Sequence, residues 1–157
     1  MTAPLLRVAD LAVEFGRKSA PVRVVDGVGF EIAAGGSLGI VGESGSGKSM
    51  TALSILRLVP EPQGRIVQGR ILFDGTDLLA LPRARMPEIR GRDIAMIFQE
   101  PMSSLNPVMT IGDQIGEAIL LHERCGREER RRRTVEMLRL VGIPDPERRL
   151  GAYPHQF

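Results

Sequence analysis

Apolar and polar residues alternate over two stretches near the start of the chain, residues 5–15 and 22–32. In the second, Val22, Val24, Val28, Phe30 and Ile32 carry the pattern. A period of two predicts strands with one buried face, and Gly16 and Pro21 between them predict a hairpin. Ser37-Leu38-Gly39-Ile40-Val41 is short and almost wholly apolar, the pattern of a strand buried on both faces. Met50 to Leu58 has the spacing of an amphipathic helix, which Pro60, Pro62 and Gly64 then stop. Residues 65–73 return to strand character and end in the turn signal Asp74-Gly75. A short helix is expected over 82–90, with Pro82 in its first turn. Ile94-Ala95-Met96-Ile97-Phe98 predicts a second core strand, ending at Gln99-Glu100-Pro101 and followed by a polar loop to Pro107. Helices are expected at about 111–122 and 128–141, and Ile143-Pro144-Asp145-Pro146 reads as a linker.

One junction in this pattern carries chemistry. Between the apolar run 37–41 and the helix lies Gly42-Glu43-Ser44-Gly45-Ser46-Gly47-Lys48-Ser49, a match to G-x-x-x-x-G-K-[ST]. Glycines let the backbone curl and bring its N–H groups against a polyphosphate. The helix beginning near Lys48 adds unsatisfied N–H groups and a positive dipole end. The pattern assigns Lys48 to the β- and γ-phosphates and the Ser49 hydroxyl to Mg²⁺. A glycine turn that merely joins a strand to a helix is the plainer alternative, and the flanking elements argue against it. A dinucleotide-binding reading fails because its third glycine would have to stand at Met50.

Composition adds bounds. The 157 residues suit one core, and 43% apolar with 25% charged residues is ordinary for a globular protein. A net charge of +2 gives no reason to expect a nucleic-acid partner. Lys18 and Lys48 are the only lysines, so the loop lysine stands out in an arginine-rich chain. The single cysteine, Cys125, excludes an internal disulfide and suits a reducing compartment. It has no His or Asp pattern around it and reads as an incidental thiol. No apolar run is long enough to span a bilayer, and the N-terminus lacks the zones of a signal peptide. Arg130-Arg131-Arg132-Arg133 reads as a solvated helix face.

The run Ile97-Phe98-Gln99-Glu100-Pro101-Met102-Ser103-Ser104-Leu105-Asn106-Pro107 resembles the Q-loop of ATP-binding-cassette (ABC) transporter ATPases. Within that family it is similar to the dipeptide/oligopeptide/nickel importer branch, as are the P-loop with Met50-Thr51-Ala52-Leu53-Ser54-Ile55 and the Asp74-Gly75 turn. The resemblance covers about Leu5 to Phe157. It implies an α/β fold: a P-loop NTPase (RecA-like) core, an antiparallel β region and the start of an α-helical subdomain. The expected divisions are 1–36 (antiparallel β), 37–99 (P-loop core to Q-loop strand) and 100–157 (Q-loop and partial helical subdomain). It further implies ATP and Mg²⁺ as ligands, with Gln99 contacting Mg²⁺ or the attacking water. Residues 100–106 would sense transporter transmembrane subunits, and a second cassette would complete the nucleotide site. The implied place of work is the cytoplasmic face of the inner membrane, as a peripheral subunit. Phe15, in Val13-Glu14-Phe15-Gly16, matches the aromatic that stacks on adenine; a plain core role is the alternative. Gln99 likewise has a plain reading, as a polar loop residue.

His155 resembles part of the Tyr-Pro-His-Gln-Phe stretch that leads into the family's signature motif, so it receives no catalytic role. The Ser-Gly-Gly of that signature, the Walker B aspartate, its neighbouring glutamate and the later switch histidine are not found in the 157 residues. Hence the expectation is an incomplete cassette, the N-terminal part of an ATPase, with little or no turnover of its own. Two other readings are a non-hydrolysing interaction module on the membrane subunits and a different P-loop enzyme such as a small-molecule kinase.

Overall fold

The computed structural model describes residues 3–100 and 104–157, arranged as two compact units, Met1–Arg90 and Gly91–Phe157. The first is built on a four-stranded antiparallel sheet in the order β2-β1-β3-β4. Its strands are β1 (Leu6–Phe15), β2 (Val22–Ile32), β3 (Gly64–Phe73) and the two-residue β4 (Thr76–Asp77). The expected hairpin is β1 and β2, paired from Leu6 opposite Ile32 to Phe15 opposite Val22. The turn signal joins β3 to β4, with Asp74 at φ +46° and Gly75 at φ +75°, the left-handed pair a tight hairpin turn needs.

Alternation breaks in the middle of β1, and the break has a cause. Leu11, Ala12 and Val13 are consecutive and all fully buried, which a regular pleat does not allow. The register of β1 slips between Val8 and Leu11 against β2 and between Ala9 and Ala12 against β3. Asp10 takes a φ of +50° at this bulge, and Gly69 of β3 passes so close that a Cβ there would lie 2.7 Å from the Leu11 Cα. The bend closes the sheet around Val8, Leu11, Val13, Val25 and Ile71, with Leu56, Leu78 and Met86 completing the core.

Helix α1 (Lys48–Ile55) lies in this unit and directs buried Thr51 and Ser54 inward. Their hydroxyls donate to Gly47 O (3.0 Å) and Met50 O (2.6 Å), so neither polar group is stranded. Its C-terminal end is closed by Arg90, whose guanidinium donates to Leu56 O at 2.8 Å and Arg57 O at 3.0 Å. Burial, with Arg57 and Arg83 nearby, lowers the pKa of Arg90 from the usual guanidinium range. The helix expected over 82–90 is a 3-10 turn, Arg83–Arg85, running into α2 (Met86–Ile89).

Two expected strands are not part of the sheet. Of the expected strands 37–41 and 94–98 only Ile94 is bridged, its carbonyl accepting from Gly91 N at 2.9 Å, while Val41 at 94% and Ile97 at 89% exposure face solvent. A parallel strand is stabilised only by neighbours distant in sequence. No described strand of the sheet pairs with either run.

The second unit is helical: α3 (Ile111–His122), α4 (Arg127–Leu140) and α5 (Pro146–Arg149), ending in a 3-10 turn, Pro154–Gln156. Thr110 caps α3, accepting from Asp113 N at 3.1 Å while its hydroxyl donates to the Asp113 carboxylate at 2.7 Å. The buried side chains Ile111, Thr134, Val135 and Leu138 form its core. The stretch expected as a linker starts α5 instead. Asp145 adopts φ +50° and Pro146 takes the first helical position, where its missing N–H costs nothing.

Candidate functional site

Gly42–Ser49 fold as a loop running into α1, with Gly47 as its N-cap at φ +89°. Two features make Gly47 a requirement. Its φ is left-handed, and a Cβ would lie 2.6 Å from Val24 O and 3.2 Å from a Val25 methyl. The loop is therefore seated on the backbone of β2. Gly45 also has a left-handed φ, +83°, but nothing lies within 4 Å of its missing Cβ, so its side faces open space. At Gly42 a Cβ would meet Ser46 Oγ at 2.7 Å.

The loop presents an incomplete polar shell. No side chain caps α1, and its first turn contains no acid, so the helix N-terminus is left for an anion. Lys48 Nζ donates to Gly42 O and Glu43 O, both at 2.6 Å, and to Ser46 Oγ at 3.2 Å. The ammonium thus lies back over the loop, its charge met among the described residues only by neutral acceptors. A phosphate oxygen is a stronger, charge-assisted partner for it. Ser49, second residue of α1, is exposed.

Phe15 closes β1 half-buried, with Gly64 opposite it in β3. A Cβ on Gly64 would come 2.7 Å from the Phe15 ring, so the glycine makes room for the ring to lie across β3. A cross-strand ion cluster holds this end of β1. Glu14 pairs with Arg65 at 2.9 Å and with Arg23 at 3.4 Å, and Arg65 also donates to Gly16 O at 3.3 Å. Strand β2 relates the two halves of the candidate site. Gly47 sits on Val24, and Phe15 pairs with Val22, a separation of about 7 Å at strand rise. Phe15 and the glycine loop are thereby carried by the same strand pair.

Gln99 belongs to the other unit, exposed and outside any ladder. Of the expected contact stretch 100–106, residues 101–103 lie outside the described residues. The described end of that loop is clasped by Gln114 of α3, which accepts from Asn106 N at 2.9 Å and donates to Asn106 O at 2.9 Å and Met109 O at 3.1 Å. Sequence reasoning missed Gln114, Arg90 and the seat at Val24. Each acts through main-chain atoms of a segment distant in sequence or across a loop, and no motif spacing announces that. Among the described residues no group of three or more His, Cys, Asp or Glu could hold a metal, and no helix is long and apolar enough to cross a membrane.

The profile of a known family, described as ABC transporter, matches residues 25–157. The chain belongs to the ABC transporter family. Among curated relatives it is 48% identical over 153 residues to the oligopeptide transport ATP-binding protein OppD of Bacillus subtilis, covering 98% of this chain and 43% of that one. Against the dipeptide transport ATP-binding protein DppD of Haemophilus influenzae it is 50% identical over 152 residues, covering 97% and 46%. This ABC-family chain therefore spans less than half the length of these relatives. Its fold matches the ADP- and Pi-bound dimeric cassette MJ0796 with a TM-score of 0.78 at 22% identity, over 97% of this chain and 62% of that one. The α/β cassette fold is thus established, including the antiparallel sheet and the helices that follow it. Nucleotide binding and ATPase chemistry are properties of the family.

Proposed function

We propose that this chain is part of the ATP-binding, energy-coupling subunit of an ABC importer for dipeptides, oligopeptides or related solutes. The observation that carries the nucleotide half is the glycine loop seated on β2, with Lys48 held over neutral oxygens at an uncapped helix start. The solute class is supported by the relatives, an oligopeptide and a dipeptide transport ATP-binding protein.

In this reading the α1 N–H groups and Lys48 hold the β- and γ-phosphates, and Phe15 stacks on the base. Mg²⁺, when bound, neutralises phosphate charge and aligns the terminal group for attack by water. The residues present suit that ion: Ser49 presents an exposed hydroxyl beside the anion seat. For Gln99, for contact of 100–106 with transmembrane subunits, for pairing with a second cassette, and for a place on the cytoplasmic membrane face, the reading rests on the motifs and the family. A general base is needed to activate water, and the 157 residues offer no Walker B aspartate and glutamate. The 157-residue polypeptide is therefore expected to bind Mg-ATP and release no phosphate above background over hours in a phosphate-release assay. Steady turnover that disappears in Lys48→Ala would overturn that part of the reading.

The stacking role of Phe15 is separable from its packing role. Phe15→Ala should weaken ATP about 2- to 10-fold, the range of aromatic stacking energies, and leave inorganic triphosphate affinity unchanged. Competition titration of the two ligands checks this. Equal weakening of both would make Phe15 a packing residue only.

A further inference from the structure

Helix α4 contains six arginines, and they fall into two groups by what they touch. Arg132 pairs with Glu129 at 2.6 Å and Glu136 at 2.5 Å; Arg133 pairs with Glu129 at 2.9 Å and with Glu123; Arg139 pairs with Glu147 at 2.7 Å. The first two use Glu129 so fully that hydrogen bonds from Arg132 and then Arg133 hold its carboxyl down at about 2. Arg127, Arg130 and Arg131 form no ion pair with any described residue. These three line one cleft of ≈ 290 Å³ between α4 and the start of α3, with Thr110, Asp113 and Thr134.

A solvated arginine face would spread its guanidiniums outward. Here one of them is built in. The stem of Arg130 crosses α3 at Gly116, where a Cβ would meet its Cδ at 3.1 Å and its Nε at 3.4 Å, so the glycine admits the side chain. Gly116 is itself buried. Three arginines and one carboxylate, Asp113, line the cleft, and Asp113 already accepts from the Thr110 hydroxyl; Arg127 and Arg131 also border a neighbouring cleft that Glu128, Glu136 and Glu147 line. Guanidinium forks match phosphate oxygens two at a time, and several around one cleft favour a multivalent oxyanion over a lone carboxylate.

We infer that the α3–α4 cleft is a second anion site, distinct from the glycine loop, which takes a phosphoryl group through Arg127, Arg130 and Arg131. A soluble polyphosphate and a phospholipid headgroup offer the same chemistry, and the test separates them. The probe is pyrophosphate, titrated calorimetrically into the Lys48→Ala chain so that the glycine loop contributes little. Binding is expected, and Arg127→Gln with Arg131→Gln should weaken it at least about tenfold, as loss of two charge-assisted contacts would. Arg130 is left in place because its stem packs on Gly116. The control pair Arg132→Gln with Arg139→Gln, whose partners are carboxylates, should bind as the Lys48→Ala parent does.

The second arm is sedimentation with vesicles containing phosphatidylglycerol, compared with vesicles of phosphatidylcholine alone. Binding to the anionic vesicles that is lost in the Arg127/Arg131 double variant makes a headgroup the ligand. Pyrophosphate binding without vesicle binding makes it a soluble anion. No binding of either probe, or equal binding by the double variant and the control pair, overturns the site.

Discussion

Replacing Lys48 by alanine is expected to weaken Mg-ATP binding by about 10- to 150-fold, the worth of one hydrogen bond to a charged group. The loss should fall on the triphosphate. Affinity for adenosine, which has no phosphate, should not change. In the structure the ammonium donates to Gly42 O, Glu43 O and Ser46 Oγ, all neutral, so its removal leaves no buried charge uncompensated. Folding should accordingly be little affected, and the denaturation midpoint of Lys48→Ala should lie close to that of the parent. Isothermal titration with ATP and with adenosine checks both halves. A variant that loses adenosine as well would show that Lys48 supports the loop's shape rather than the phosphates.

The second large effect is on the loop's seat. Gly45→Ala and Gly47→Ala both place a side chain at a left-handed φ, near +85°, which costs about 1–2 kcal/mol in either case. Only at Gly47 does the new Cβ also meet backbone, at 2.6 Å from Val24 O. Relieving that contact means lifting the loop from β2 or bending a strand paired with the core residue Val13. The total for Gly47→Ala is therefore roughly 2–5 kcal/mol, against about 1–2 kcal/mol for Gly45→Ala. Urea unfolding of the two variants side by side measures the difference. Nucleotide binding should follow it, because a lifted loop carries the α1 N-terminus and Lys48 away from Phe15. Equal destabilisation by both substitutions would contradict the described seat.

Much of this arrangement was legible from residues 5–77, and the reason is local. Val22 to Ile32 alternate, Asp74-Gly75 can form only a tight turn cheaply, and Pro60 to Gly64 cannot continue a helix. The glycine loop was legible as a turn running into α1, because G-x-x-x-x-G-K-[ST] restricts both residue types and spacing. What failed to show in sequence depends on partners at a distance. Leu38–Val41 and Ile94–Phe98 have the composition of core strands, but a parallel ladder is a property of neighbours rather than of the run. The bulge at Asp10 was hidden because apolar Leu11-Ala12-Val13 looks like pleat noise until Gly69 is placed against it. At Pro146 the missed helix had a signal, proline at a first helical position, which the neighbouring Pro144 disguised as a linker. The tetra-arginine run reads as one solvated face in sequence. The carboxylates within reach divide it: Arg132 and Arg133 are paired, and Arg130 and Arg131 form no ion pair among the described residues.

Phosphorus NMR of Mg-ATP titrated with the unaltered chain shows whether Gly42–Ser49 hold the phosphates of ATP. The β- and γ-phosphate resonances are expected to shift and broaden on addition of the chain, and to do so far less with Lys48→Ala at the same concentration. Unshifted resonances with the unaltered chain, or identical shifts with Lys48→Ala, would contradict it.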